Sequence, residues 1–136
     1  MKLYIYLIVI LIIALAGTCD YSDSRLLIKN NSKQSITFDY SIDTVMEYRS
    51  NGNIAFFIRD KILPGETSIK TKPGSTKGWP FLIQKSVNKR LNVFIIEVDT
   101  LLKYKDWAYI KKNGLYKRYQ FSEVELNRKN WVIEYP

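Results

Sequence analysis

Cys19 is the only cysteine of this 136-residue chain, and the chain contains no histidine. Without imidazole it lacks the usual general base, the usual activator of a nucleophile and the commonest metal ligand. A single thiol cannot close an internal disulfide or build a thiolate metal site. No glycine-rich phosphate loop, G-x-S-x-G elbow or S-x-x-K motif occurs. Carboxylates alone can hydrolyse a glycosidic bond, and Asp39, Asp43, Glu97 and Asp99 fall on or beside expected strands. Acids in such places otherwise serve as solvated or turn-capping groups. The expectation is a protein that is not an enzyme and needs neither cofactor nor metal.

One stretch has the composition of a recognition surface. Between Lys103 and Tyr119 stand Lys103, Lys105, Lys111, Lys112, Lys117 and Arg118 against one acid, Asp106. Tyr104, Trp107, Tyr109, Tyr116 and Tyr119 are interleaved with them. Ammonium groups beside flat rings suit anionic polymers, through charge and stacking. Lys103, Lys105, Tyr109, Lys111, Lys112, Tyr116 and Lys117 form the candidate ligand surface, with an anionic glycan or a protein as partner. On the plainer reading Tyr104 and Trp107 pack on a sheet, Tyr109 and Tyr116 are buried, and the lysines only solvate the outer face.

The start of the chain decides where such a domain would work. Met1-Lys2 is followed by Leu3 to Ala16, fourteen residues without charge or breaker, and then by Gly17-Thr18-Cys19. A positive residue, an apolar run and a small-residue exit make the pattern of an export signal, here residues 1–18. The run is short for a permanent span, which takes about 20 apolar residues. Leu15-Ala16-Gly17-Thr18-Cys19 resembles the bacterial lipobox, with threonine before the cysteine as in the looser form of Bacteroidetes-type bacteria. That resemblance implies acylation of Cys19 and a membrane anchor through the N-terminal lipid. The alternative is cleavage after Ala14-Leu15-Ala16, an A-x-A site that releases a soluble secreted protein. Lipidation accounts for both the lone cysteine and its position. Residues 19–24 then read as lipidated cysteine and tether, and 25–136 as one domain.

The chain from Cys19 to Pro136 is 118 residues long, enough for one core and too short for two domains. The net charge of +8 includes Lys2, so this part carries +7. A basic protein is drawn to anionic polymers and headgroups, and export argues against nucleic acid as the partner.

The elements that must position these residues read mostly as strands. Leu26 to Ile28 is a short strand signal, and Ser35 to Ile42 alternates as a half-buried strand. Asn51-Gly52-Asn53 between Val45–Tyr48 and Ile54–Ile58 is a hairpin signal. Ile62-Leu63-Pro64-Gly65-Glu66 predicts a turn, Ser68 to Lys70 a strand, Lys72 to Gly78 a loop and Trp79 to Gln84 a further strand. Leu91 to Val98 reads as a central strand buried on both faces. Leu101, Tyr104, Trp107 and Ala108 would share one helical face, or Asp106 would cap a shorter helix ending near Asn113-Gly114. Leu115 to Phe121 reads as a strand. Ser122-Glu123-Val124-Glu125 is a capping box for a helix to about Lys129. Trp131, Ile133 and Tyr135 alternate as the last strand. The fold expected is mainly β: an immunoglobulin-like or prealbumin-like β-sandwich with one or two short helices inserted before the last strand.

From Leu101 through Tyr104-Lys105-Asp106-Trp107 to Asn130-Trp131-Val132-Ile133-Glu134-Tyr135-Pro136, the chain resembles small uncharacterised lipoproteins of Bacteroidetes-type bacteria. The resemblance covers the signal and about the last forty residues. It implies an exported protein of the outer membrane, in either leaflet, with no activity attached to it. The function expected is a lipid-anchored, non-catalytic binding or structural module of the cell envelope. An envelope-localised immunity or inhibitor protein is the alternative.

Overall fold

The computed structural model describes residues 22–46, 53–73 and 78–136. Residues 1–18, where the sequence leads us to expect an export signal, Cys19 and the Asn51-Gly52 pair lie outside them. Among the described residues the chain is mainly β, with six strands in two sheets and five short helices. One sheet has the order β3-β1-β6: Thr67–Pro73, Ser22–Asn30 and Val132–Tyr135, with β1 antiparallel to β3 and parallel to β6. The other has the order β2-β4-β5: Ile36–Ser41, Leu91–Glu97 and Lys117–Phe121, all antiparallel.

β4 organises the molecule. Leu91 through Ile96 are all buried, as the continuous apolar run predicts. Its alternate side chains serve two cores, because successive residues of a strand point to opposite faces. Leu91, Val93 and Ile95 join Leu26 and Ile28 of β1, Ile36 and Phe38 of β2, and Ile133 and Tyr135 of β6. Phe94 and Ile96 join Met46, Phe57, Leu101, Trp107 and Ile110 on the other face.

That second core is helical where the sequence pattern indicates strand. Ile54–Arg59 is a helix, α1, where the second strand of the expected hairpin would lie, and the Asn51-Gly52 turn itself falls outside the described residues. The Asn53 side chain accepts from the Ala55 N–H at 3.0 Å, and Phe57 packs flat on Trp107 with ring centres 4.5 Å apart. An apolar run of five residues carries no periodicity of its own, so cap and partner decide its conformation. Trp79–Lys85 is likewise a helix, α2, with Trp79 and Ile83 buried one turn apart. Pro80 stands in its first turn, where a missing N–H is tolerated. These two corrections also change the helix inventory: five helices are present instead of one or two, and α1 and α2 precede β4.

Val98–Tyr104 (α3) and Trp107–Lys112 (α4) are separate helices, not one continuous face. Lys105 ends α3 in the left-handed region, at φ 51°. Asp106 caps α4 by accepting from the Tyr109 N–H at 3.1 Å, the shorter-helix reading of the sequence. Ala108 is exposed, and Ile110 takes the buried position instead. β2 is more deeply buried than its alternation predicts, since Thr37, Asp39 and Ser41 are covered by the helical side of the sheet.

The other expectations match more closely. Gly65 turns at φ 80°, a conformation that favours glycine, and its N–H donates to the Asn30 carbonyl at 2.7 Å. β3 continues through Lys72 and Pro73, into the expected loop. Glu123–Arg128 (α5) carries a complete capping box. The Glu125 N–H donates to Ser122 Oγ at 3.3 Å, while the Ser122 N–H donates to Glu125 Oε2 at 2.7 Å.

The first strand begins at Ser22, four residues before the Leu26 to Ile28 signal in the sequence, and a buried clasp fixes its start. Asp23 is 2% exposed and accepts from Arg25 Nε at 2.9 Å and from the Trp79 N–H at 3.0 Å. Trp79 Nε1 donates back to the Asp23 carbonyl at 3.1 Å. Gly78 lets the backbone come this close, since a Cβ there would lie 2.9 Å from Asp23 Oδ2. This end of the domain also holds the ends of β2 and β5. The opposite pole holds Asn30, Ile36, Glu97 and Tyr135, where β1 and β6 end, β2 begins and β4 ends.

The Arg25 hydrogen bond, with the Trp79 N–H, holds the Asp23 carboxyl below its ordinary value. A depressed carboxyl stabilises the fold above the unfolded value, near 4, and that contribution fades as pH falls through the folded value. Asp23→Asn should therefore cost on the order of 2 kcal/mol at pH 7 in urea unfolding, and less at pH 3. An undiminished difference at pH 3 contradicts the ionic clasp. Ser122→Ala should cost about 1 kcal/mol, while Ser122→Thr should be close to neutral. Ser122→Asp should recover only part of the loss, because it sets a second carboxylate against Glu125. Identical urea midpoints for wild type and Ser122→Ala contradict the cap.

Candidate functional site

At the pole away from the Asp23 clasp the two sheets part, and a cleft of about 200 Å³ opens between them. Ile95 and Glu97 of β4, Thr100 of α3, Tyr116 and Lys117 at the start of β5, and Tyr135 of β6 line it. The strand register accounts for this convergence. Lys117 lies opposite Ile95 in the β4–β5 ladder, so its side chain shares the face turned to the other sheet. There its Nζ stands 5.5 Å from the centre of the Tyr135 ring. Glu97, two residues beyond Ile95, faces the same way.

The floor of the cleft is a fixed carboxylate. The Tyr135 hydroxyl donates to Glu97 Oε1 at 3.0 Å. The Gln34 carboxamide, oriented as a donor, reaches Oε2 at 2.7 Å. Tyr135 is 4% exposed, and burial together with the neighbouring Glu97 pushes its phenol up to about 12. It therefore stays a donor at any physiological pH. Lys117 makes no ion pair among the described residues, with Glu97 or any other acid. One negative and one positive group thus face the same small space without forming an ion pair.

The candidate residues of the sequence divide between this cleft and the helical surface. Tyr116 and Lys117 line the cleft, and the Tyr116 ring meets Phe94 edge-on at 5.4 Å and is half-buried. Tyr109 is 45% exposed and stacks on Tyr104 at 4.9 Å, so only one of its faces is open. Lys103, Lys105 and Lys112 are exposed and Lys111 is half-exposed, all on α3, α4 or the link between them. Lys103 lies over the Tyr104 ring at 5.1 Å. Trp107 is buried, as the plainer reading requires, while Tyr109 and Tyr116 are not fully so. Cys19 lies outside the described residues.

The candidate carboxylates are spread over different faces of the fold. Asp39 lies opposite Phe94 and so faces the helical layer, whereas Glu97 faces the other sheet. Asp43 and Asp99 are exposed. Among the described residues no group of three acids, histidines or cysteines gathers at metal-binding distance. Glu97 and Tyr135 escaped the list of binding candidates because their meeting depends on which strand ends share a pole. The available signal was alternation, which puts Tyr135 on the buried face of the last strand. No protein-family model matches the chain, and no curated protein or solved structure does either.

The paired phenol makes a measurable prediction. A phenol raised in the fold stabilises it below the unfolded value, near 10, and this contribution is lost as pH rises toward 12. Tyr135→Phe should cost about 1 kcal/mol at pH 7 and progressively less above pH 10. Ultraviolet titration should show one late-ionising tyrosine fewer in the variant. An unchanged titration curve contradicts the pairing.

Proposed function

We propose that this chain is a lipid-anchored protein of the cell envelope whose single domain is a non-catalytic binding module. The observation that carries the reading is the position of the lone cysteine. Cys19 closes the apolar leader and stands only three residues before the first strand. Three residues reach at most about 10 Å, so an acyl group on Cys19 would hold the Ser22 pole against the membrane. β1 has nine residues and spans about 30 Å, which turns the Glu97 cleft away from the lipid. A site at the far pole is where an anchored binding domain would meet a soluble partner.

The same reading includes the finer fold and the location. The core shared by β1, β2, β4 and β6 supports a β-sandwich of the immunoglobulin-like or prealbumin-like kind, with helices covering its second sheet. The lipobox resemblance supports an outer membrane of the Bacteroidetes type. Among the described residues no helix is long and apolar enough to cross a membrane.

Mass spectrometry of the protein extracted from membranes tests the anchor. The expected N-terminus is Cys19 carrying more than one acyl chain, since one chain alone holds only weakly. Cys19→Ala should move the protein to the soluble fraction. An N-terminus at Gly17 with a free thiol would instead establish the soluble product of cleavage after Ala16.

A further inference from the structure

We propose that the cleft between β5 and β6 takes one hexuronate unit of an acidic polysaccharide, with the sugar carboxylate on Lys117 and ring hydroxyls on Glu97. This rests on the reading of the domain as a binding module and gives that module a ligand class.

The lining suits a ligand with two kinds of group better than the simpler occupants. A small inorganic anion would satisfy Lys117 but meet the charge of Glu97. A neutral sugar could donate to Glu97 but would leave Lys117 without a counter-charge. A ligand that carries donors at one end and an anion at the other satisfies both groups. Glu97 is suited to the donor end. A carboxylate offers about four acceptor positions, and Tyr135 and Gln34 occupy one on each oxygen, so hydroxyls can take the others. Those two bonds also fix its orientation before any ligand arrives, which lowers the entropic cost of binding. The half-buried Tyr116 ring supplies a flat apolar wall for the C–H face of a sugar, and the Thr100 hydroxyl another polar contact. A volume near 200 Å³ admits one ring rather than several.

Charge beyond the cleft favours a polymeric acid over an isolated zwitterion. The Leu115 N–H donates to the Ile110 carbonyl at 3.0 Å, which ties the cleft wall to the end of α4, where Lys111 and Lys112 stand. Neighbouring uronates of one chain would meet these lysines, while an ammonium ligand would be repelled by them. Such contacts raise the association rate and its salt dependence, and the cleft itself supplies the discrimination.

The test is calorimetric titration of the full-length protein in detergent with trigalacturonate, its neutral galactose counterpart and tripolyphosphate. Trigalacturonate should bind saturably, with the other two at least about tenfold weaker. Lys117→Gln and Glu97→Gln should each weaken trigalacturonate at least about tenfold while leaving the melting curve nearly unchanged. Lys72→Gln, opposite Asp23 at the other pole, should change little at physiological salt. Equal binding of tripolyphosphate, with no effect of Glu97→Gln, would reduce the interaction to surface charge and overturn the proposal. Binding of a small amino-acid zwitterion, lost in both variants, would keep the cleft as a binding site but overturn the sugar acid. No binding that depends on Glu97 or Lys117 would overturn both. Acylation at Cys19 is read separately, so the anchor can stand when the ligand fails.

Discussion

A strand that is apolar on both faces must be covered twice, and most of this fold follows from how the chain covers β4. Six consecutive buried residues, Leu91 to Ile96, remove from water a surface that one partner layer cannot hide. At roughly 25 cal/mol per Å² of apolar area, leaving either face wet would cost several kcal/mol. The β3-β1-β6 sheet covers the face of Leu91, Val93 and Ile95. Among the described residues the face of Phe94 and Ile96 is covered instead by the short apolar segments Ile54–Arg59, Val98–Tyr104 and Trp107–Lys112, which form helices. The stacked pair of Phe57 and Trp107 joins two of them across a gap of fifty residues in sequence.

This accounts for what was legible in the sequence and what was not. β4, the alternation of β6, the turn at Gly65 and both side-chain caps at Asp106 and Ser122 could be read directly. Each depends on residues within one turn or one strand of each other. α1 and α2 could not be read in that way. Ile54-Ala55-Phe56-Phe57-Ile58 and Trp79-Pro80-Phe81-Leu82-Ile83 are short apolar runs, equally suited to a buried strand or to a helix. Their conformation is set by Trp107 in one case and by the Asp23 clasp in the other, both remote in sequence. Pro80 was the local signal that favoured a helix start. The cleft was half legible for the same reason. Tyr116 and Lys117 stood out by composition, but Glu97 becomes their neighbour only through the β4–β5 ladder, and Tyr135 only through the parallel pairing of the first and last strands.

That parallel pairing places unusual demands on the chain between β5 and β6. β6 must run alongside β1 and present Tyr135 to Glu97, and only α5 and a sharp reversal separate it from β5. The reversal puts Asn130 at φ 50° and Trp131 at φ 61°, a conformation that is costly for a large side chain. The surroundings of Trp131 offset the cost. Its N–H donates to the Leu126 carbonyl at 2.7 Å, its Nε1 to Asn127 Oδ1 at 2.8 Å, and its carbonyl accepts from the Leu27 N–H at 2.9 Å. Arg25 lies over the ring at 4.6 Å, so the clasp residue of one pole also steadies the start of β6. Strain that persists under this many fixed contacts keeps one geometry, and the position of Tyr135 in the cleft inherits that definition.

The excess of basic residues also takes on a different meaning once they are placed. Four of the ammonium groups besides Lys117 lie over aromatic rings. Lys70 lies over Phe38, Lys72 over Tyr40 and Trp79, Lys85 over Phe81 and Lys103 over Tyr104. Each such contact contributes about 0.5–1 kcal/mol at an exposed site and uses the aromatic face that a ligand would need. Within the stretch from Lys103 to Tyr119, whose composition suggests a broad recognition surface, Lys103 is engaged in this way. Lys117 is different. The ring beneath it, Tyr135, is the ring whose hydroxyl is bound to Glu97 at the floor of the cleft. Its ammonium lies over a ring that also orients the opposite charge, and that coupling is what sets Lys117 apart from the other lysines as a candidate for binding.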